Sequence, residues 1–113
     1  MNNRWLLLRY DVESNDAAAM DDFLKTMYAV HSANRIPVSL FCTGAALETR
    51  ENAFRAFRDL AGDDPLFDVG DHSYSHIGVG YQRGKPVEAL RADYERSLDV
   101  HERILECRPD SLS

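Results

Sequence analysis

Long apolar runs are missing from this 113-residue chain. A membrane-spanning helix needs roughly 20 consecutive apolar residues, and here the runs are only a few residues long. Near the N-terminus Trp5, Leu6, Leu7 and Leu8 stand together, too short a run for the core of a secretory signal. The segment thus carries no export signal of its own, and the cytoplasm is its expected location. Clusters of basic residues are also missing. The net charge is −6, with acids spread along the chain, which argues against nucleic acid or an anionic membrane as partner. Cysteine is scarce: Cys42 and Cys107 are too few and too separated for a disulfide framework or a thiolate zinc clip. Both are expected to be small buried residues. There is no internal repeat and no low-complexity tract. With 44% hydrophobic and 28% charged residues, the composition is that of one modest globular domain rather than a disordered chain.

What is present alternates between strand and helix signals. WLLLRYDV (5–12) is a nearly continuous apolar run, as in a strand buried on both faces. The next stretch repeats Met20, Phe23, Leu24, Met27, Tyr28 and His31 at helical spacing. Asn15 is a suitable N-cap and Asp16 suits the first turn. IPVSLFCTG (36–44) is a second strand, with Pro37 near its start. Residues 45–62 read as helix, in two pieces divided near Thr49, with Leu47, Phe54, Phe57 and Leu60 apolar. PLFDVG (65–70) is a third strand and 71–86 a long polar, glycine-containing loop. A last helix over 87–106 aligns Leu90, Tyr94, Leu98, His101 and Leu105. CRPDSLS then looks like the approach to a fourth strand.

The order β-α-β-α-β-α predicts an α/β fold with a parallel sheet and right-handed crossovers. In such folds the chemistry gathers at the C-terminal ends of the strands. That filter selects Asp11 and Glu13 from the first strand, Cys42 and Thr43 from the second, and Asp68, Asp71, His72 and His76 from the third. It rejects His31 and His101, which fall near the far ends of their helices and read as packed, hydrogen-bonded histidines.

Four residues apart, His72 and His76 share a face in extended or one-turn helical backbone. A carboxylate would complete a His₂-carboxylate set with an open position, a catalytic rather than a structural pattern. Two solvent-exposed loop histidines are the competing reading, and convergence with Asp11 and Glu13 weighs against it. Tyr74 and Tyr81 either touch a substrate or pack the loop. Asp71 either orients a ligand or caps the turn. Trp5 reads as a core residue at the start of its strand.

LLLRYDVES, IPVSLFCTG and FDVGDHSYSH, in this order and at these gaps, resemble the first motifs of the polysaccharide deacetylases, the NodB-homology or family 4 carbohydrate esterases. The resemblance implies a distorted (β/α) barrel of NodB type, of which residues 1–113 would form roughly three βα units, the N-terminal half of the catalytic domain. It implies that Asp11 is the general base, that Glu13 ligates a metal, and that His72 and His76 of the H-[ST]-x-x-H motif are the histidine ligands. The implied cofactor is a divalent ion, zinc ahead of cobalt or nickel. The implied reaction is hydrolysis of an N-acetyl group on a sugar polymer such as peptidoglycan or chitin, or of a related non-peptide amide.

Two departures qualify this. The commonest family form has adjacent aspartates, whereas here the run is Asp11-Val12-Glu13, so Asp11 itself could be the ligand with Glu13 in solvent. The family's later Arg-x-Pro-aromatic and Leu-x-His stretches, which supply oxyanion contacts and the general acid, are not in these residues. The expectation is a fragment or truncated product, inactive alone, with sheet edges open to self-association. The competing reading is a degenerate relative that binds metal or carbohydrate without turnover. A flavodoxin-like domain would explain neither histidine.

Overall fold

The computed structural model describes residues 3–76 and 86–113. Three strands, β1 (Arg9–Val12), β2 (Val38–Cys42) and β3 (Phe67–Asp71), form one parallel sheet in the order β1-β2-β3. They alternate with α1 (Ala17–Asn34), the pair α2 (Gly44–Thr49) and α3 (Glu51–Ala61), and α4 (Val87–Leu105). The expected α/β class, with three βα units and parallel strands, is borne out. Among the described residues no helix is long and apolar enough to cross a membrane.

The two faces of the sheet differ because side chains alternate along a strand. Val12, Val38, Leu40 and Cys42 are buried beneath the helices, against Met20, Leu24, Met27, Leu47, Phe54 and Ile104. The strand register puts Arg9 and Asp11 beside Ser39 and Phe41, with Asp68 and Gly70 beyond them, on the opposite face. That face is polar, and the Arg9 guanidinium lies over the Phe41 ring, 4.6 Å from its centroid.

Several expected details are corrected. β1 is Arg9–Val12 rather than 5–12, although the ladder starts one residue earlier, where Ser39 N–H donates to the Leu8 carbonyl (3.1 Å). Trp5, Leu6 and Leu7 are 84%, 81% and 90% exposed. An apolar run is buried only where a layer covers it, and no described element covers this one. Asp16, not Asn15, caps α1: its carboxylate accepts from Ala19 N–H at 3.0 Å. The next helix breaks at Arg50, one residue past the expected point, and Leu60 is exposed, Ala61 taking the buried place. On α4 the buried stripe is Ser97, Val100, His101, Ile104 and Leu105; Leu90, Tyr94 and Leu98 are only half-buried. Cys42 is buried as expected but Cys107 is exposed. The approach to a fourth strand lies along β3: Asp71 and Leu112 form a parallel bridge, with Asp71 N–H donating to Ser111 (2.8 Å) and Ser113 N–H to Asp71 (3.0 Å). The β3 edge is therefore partly occupied rather than open.

Candidate metal centre

β1 delivers the first acids. Asp11 lies on the polar face, exposed, and pairs with the Arg9 guanidinium two residues back on the same face. Arg9 also donates to the Ser113 hydroxyl. Glu13 follows the strand end, exposed, and its carboxylate turns toward the exit of β3.

There it meets both histidines. His76 Nε2 lies 2.8 Å from Glu13 Oε2, and His72 Nε2 lies 3.2 Å from the same oxygen. The two imidazoles are tilted at 45° with centroids 4.8 Å apart. One ligand atom from each of Glu13, His72 and His76 falls within 4.8 Å of the others. Asp11 is not in this group. Zinc–ligand bonds of 2.0–2.2 Å in a tetrahedron put ligand atoms about 3.4 Å apart, so small side-chain adjustments would suffice to admit an ion.

The tautomer of His72 sharpens this. Its Nδ1 lies 2.8 Å from the carbonyl of Ser113. A carbonyl can only accept, so Nδ1 carries the proton, and in the neutral ring Nε2 offers a lone pair. That lone pair and a carboxylate oxygen then face each other at 3.2 Å. A metal ion placed between two such acceptors would satisfy both. A backbone acceptor on the far imidazole nitrogen is also the usual outer support of a metal-bound histidine. The side chains are 12% (His72), 59% (His76) and 44% (Glu13) exposed, so the group is reachable from solvent.

The intervening residues are packed. Gly44 and Ala45 N–H, in the first turn of α2, donate to the carbonyls of Ser73 and Tyr74, each at 3.0 Å. Gly44 is required there, because a Cβ would stand 2.6 Å from Tyr74 Cδ2. The Tyr74 hydroxyl donates to Glu48 (2.9 Å) and accepts from Arg96 (2.8 Å), whose guanidinium stacks 3.6 Å from the ring centroid. Burial first, and the Glu48 carboxylate second, raise the Tyr74 phenol above its ordinary range. Tyr74 thus packs the loop, one of the two roles open to it; Tyr81 lies outside the described residues.

The described side-chain contacts of Asp71 are with α4. Its side chain points to the helix side of the sheet, is buried, and accepts from Ser97 Oγ at 2.5 Å. His101 Nδ1 lies 3.9 Å from the same carboxylate and donates to the Ser97 carbonyl (2.8 Å). His31 is buried too, with Nδ1–H donating to Ile36 O (2.8 Å) and Nε2 facing the Tyr10 hydroxyl (3.2 Å). Both histidines are packed, hydrogen-bonded residues away from the Glu13 group. Thr43 caps α2 through Ala46 N–H (3.2 Å). Burial, and then the Asp71 carboxylate, push the Cys42 thiol far above the ordinary thiol range, which removes it as nucleophile or thiolate ligand.

No protein-family model matches the chain, and no curated protein does. Solved structures do. The chain is similar to a CE4 family pseudoenzyme from Bacillus anthracis, at TM-score 0.73 and 12% identity over 97% of this chain and 35% of that one. It is similar to a family 4 carbohydrate esterase from Bacillus anthracis, at TM-score 0.69 and 16% identity over 91% and 44%. It is similar to a peptidoglycan deacetylase from Bacillus subtilis, at TM-score 0.70 and 15% identity over 94% and 46%. The chain therefore spans about a third to just under half the length of these proteins. The resemblance read from the motifs is matched by likeness of fold.

Proposed function

We propose that this chain is the metal-binding N-terminal part of a polysaccharide-deacetylase-type hydrolase, acting on N-acetyl groups of a sugar polymer. Glu13, His72 and His76 hold one divalent ion, and Asp11 is the general base. The observation that carries the reading is the convergence of two imidazole nitrogens and one carboxylate oxygen at the C-terminal strand ends. Imidazole and carboxylate donors suit zinc first, with cobalt or nickel as substitutes.

When bound, such an ion supplies Lewis acidity toward an acetyl carbonyl and acidifies water toward a pKa of about 7. The chain's own residues do the rest of this half of the work. His72 is held in one tautomer by the Ser113 carbonyl, with Nε2 free to ligate. Asp11 takes the proton from the attacking water, its carboxylate oriented by Arg9. Glu13, two residues on, remains a ligand because the histidines, not Arg9, are its partners. The structural likeness to a peptidoglycan deacetylase and a carbohydrate esterase supports the substrate class.

A second reading has an observation of its own, the likeness to a CE4 family pseudoenzyme: metal is bound and no acetyl group is released. Acetate release from acetylated chito-oligosaccharides and peptidoglycan fragments decides between them. The protein expressed from its own full reading frame is assayed with and without chelator, beside Asp11→Asn. Release that stops on chelation, returns with zinc, and is absent in Asp11→Asn is the expected result. Bound metal without release selects the pseudoenzyme reading. Release indifferent to chelator overturns the metal-assisted one.

A further inference from the structure

The two residues between Tyr74's neighbour Ser73 and the ligand His76 have their backbone donors accounted for by one side chain on a different element. Asp93, in the second turn of α4, accepts from Tyr74 N–H (2.9 Å) and Ser75 N–H (3.3 Å) through Oδ2, and from the Ser75 hydroxyl (2.6 Å) through Oδ1. The carbonyls on the other side of the same peptides, Ser73 and Tyr74, accept from the start of α2. The chain between the histidines is thus gripped from two helices at once.

That grip has something to hold. Ser73 and His76 both have left-handed backbone, φ 62° and 58°, a conformation that costs non-glycine residues of order 1 kcal/mol or more unless neighbours enforce it. The described contacts of the His76 ring are the Glu13 carboxylate and the His72 ring, both themselves in the candidate centre. Its aim is therefore set through its backbone, and the backbone one residue earlier is fixed by Asp93. Charge-assisted bonds to backbone N–H are about twice as strong as neutral ones, so a carboxylate here holds what an apolar residue could not.

We infer that Asp93 is a positioning residue for the metal centre, fixing the Tyr74–Ser75 backbone so that His76 meets the ion shared with Glu13 and His72. The inference rests on the metal reading above. It concerns the energy of binding, not a contact with the ion. Losses of such supporting groups typically cost about 10–100-fold in metal affinity.

Cobalt titration, followed by its ligand-field spectrum, is the test, using the protein expressed from its own full reading frame. Asp93→Asn is compared with wild type, with His76→Ala, and with Asp99→Asn, which removes one charge from the same helix where Asp99 pairs with Arg108 (3.3 Å). Cobalt affinity is expected to fall about 10–100-fold in Asp93→Asn and to stay at the wild-type value in Asp99→Asn. Amide exchange at Tyr74 and Ser75 is expected to quicken in the metal-free Asp93→Asn variant. Asp93→Glu, which keeps the charge, is expected to recover part of the affinity, and it carries the same test if Asp93→Asn does not fold. Wild-type affinity in Asp93→Asn, beside a His76→Ala that no longer binds, overturns the positioning role alone. A wild type that takes up no cobalt overturns the metal reading itself and this inference with it.

Discussion

At the residue scale, Asp11 and Glu13 stand two places apart at the end of one strand and have different partners. Arg9 holds the first and the two histidines face the second. Asp11→Asn is therefore expected to abolish acetate release while keeping bound metal. Glu13→Gln is expected to weaken metal affinity by at least about 10-fold. Parallel metal titration and turnover assays check this, and an Asp11→Asn variant that empties the site would reverse the two roles. The cysteines separate in the same way. Cys42 is buried with its thiol pushed up by burial, whereas Cys107 is exposed. In native protein at pH 8 a maleimide or iodoacetamide is expected to label Cys107 alone, and both after denaturation, as read by mass spectrometry. An unfolded thiol ionises near pH ~8.5 while the folded Cys42 stays protonated. The folded state therefore loses stability relative to the unfolded chain as pH climbs above this range.

At the element scale, the loop of the two histidines is a product of its neighbours. The first turn of α2 takes its carbonyls and α4 takes its N–H groups. Gly44→Ala would force a Cβ to 2.6 Å from Tyr74 Cδ2 and 3.1 Å from Ser97 Oγ. Such overpacking costs about 1–3 kcal/mol, and a lowered melting temperature together with weaker metal binding is the expected outcome. Strand and helix order was legible because apolar period separates the two element types. The gathering of Glu13, His72 and His76 was legible because parallel topology collects strand ends, and the candidate role of each came from the family resemblance. The stripe of α4 was legible only in part: His101 and Leu105 are buried as expected, but periodicity counts apolar residues, while Ser97 is buried through its hydrogen bond to the Asp71 carboxylate. Asp93 left no sequence signal, since a side chain reaching backbone N–H groups 18 and 19 residues away obeys no period.

At the scale of the whole molecule, the sheet has one clothed face and one polar face, and β1 is an edge strand among the described residues. Trp5, Leu6 and Leu7, which precede that strand, lie exposed, so apolar residues meet water where the sequence alone suggested a buried strand. Unpaired edges with apolar flanks are templates for association. Residues 1–113 expressed alone are expected to self-associate and to release no acetate. Leu7→Glu is expected to reduce the association, read by light scattering; a monodisperse wild-type segment would contradict this.

The central claim is that Glu13, His72 and His76 hold a divalent ion. Elemental analysis of the protein expressed from its own full reading frame, purified without chelator and compared with His72→Ala, tests it most directly. About one zinc or other divalent ion per wild-type chain, with little left in His72→Ala, is the expected result. Equal metal content in the two proteins would contradict it.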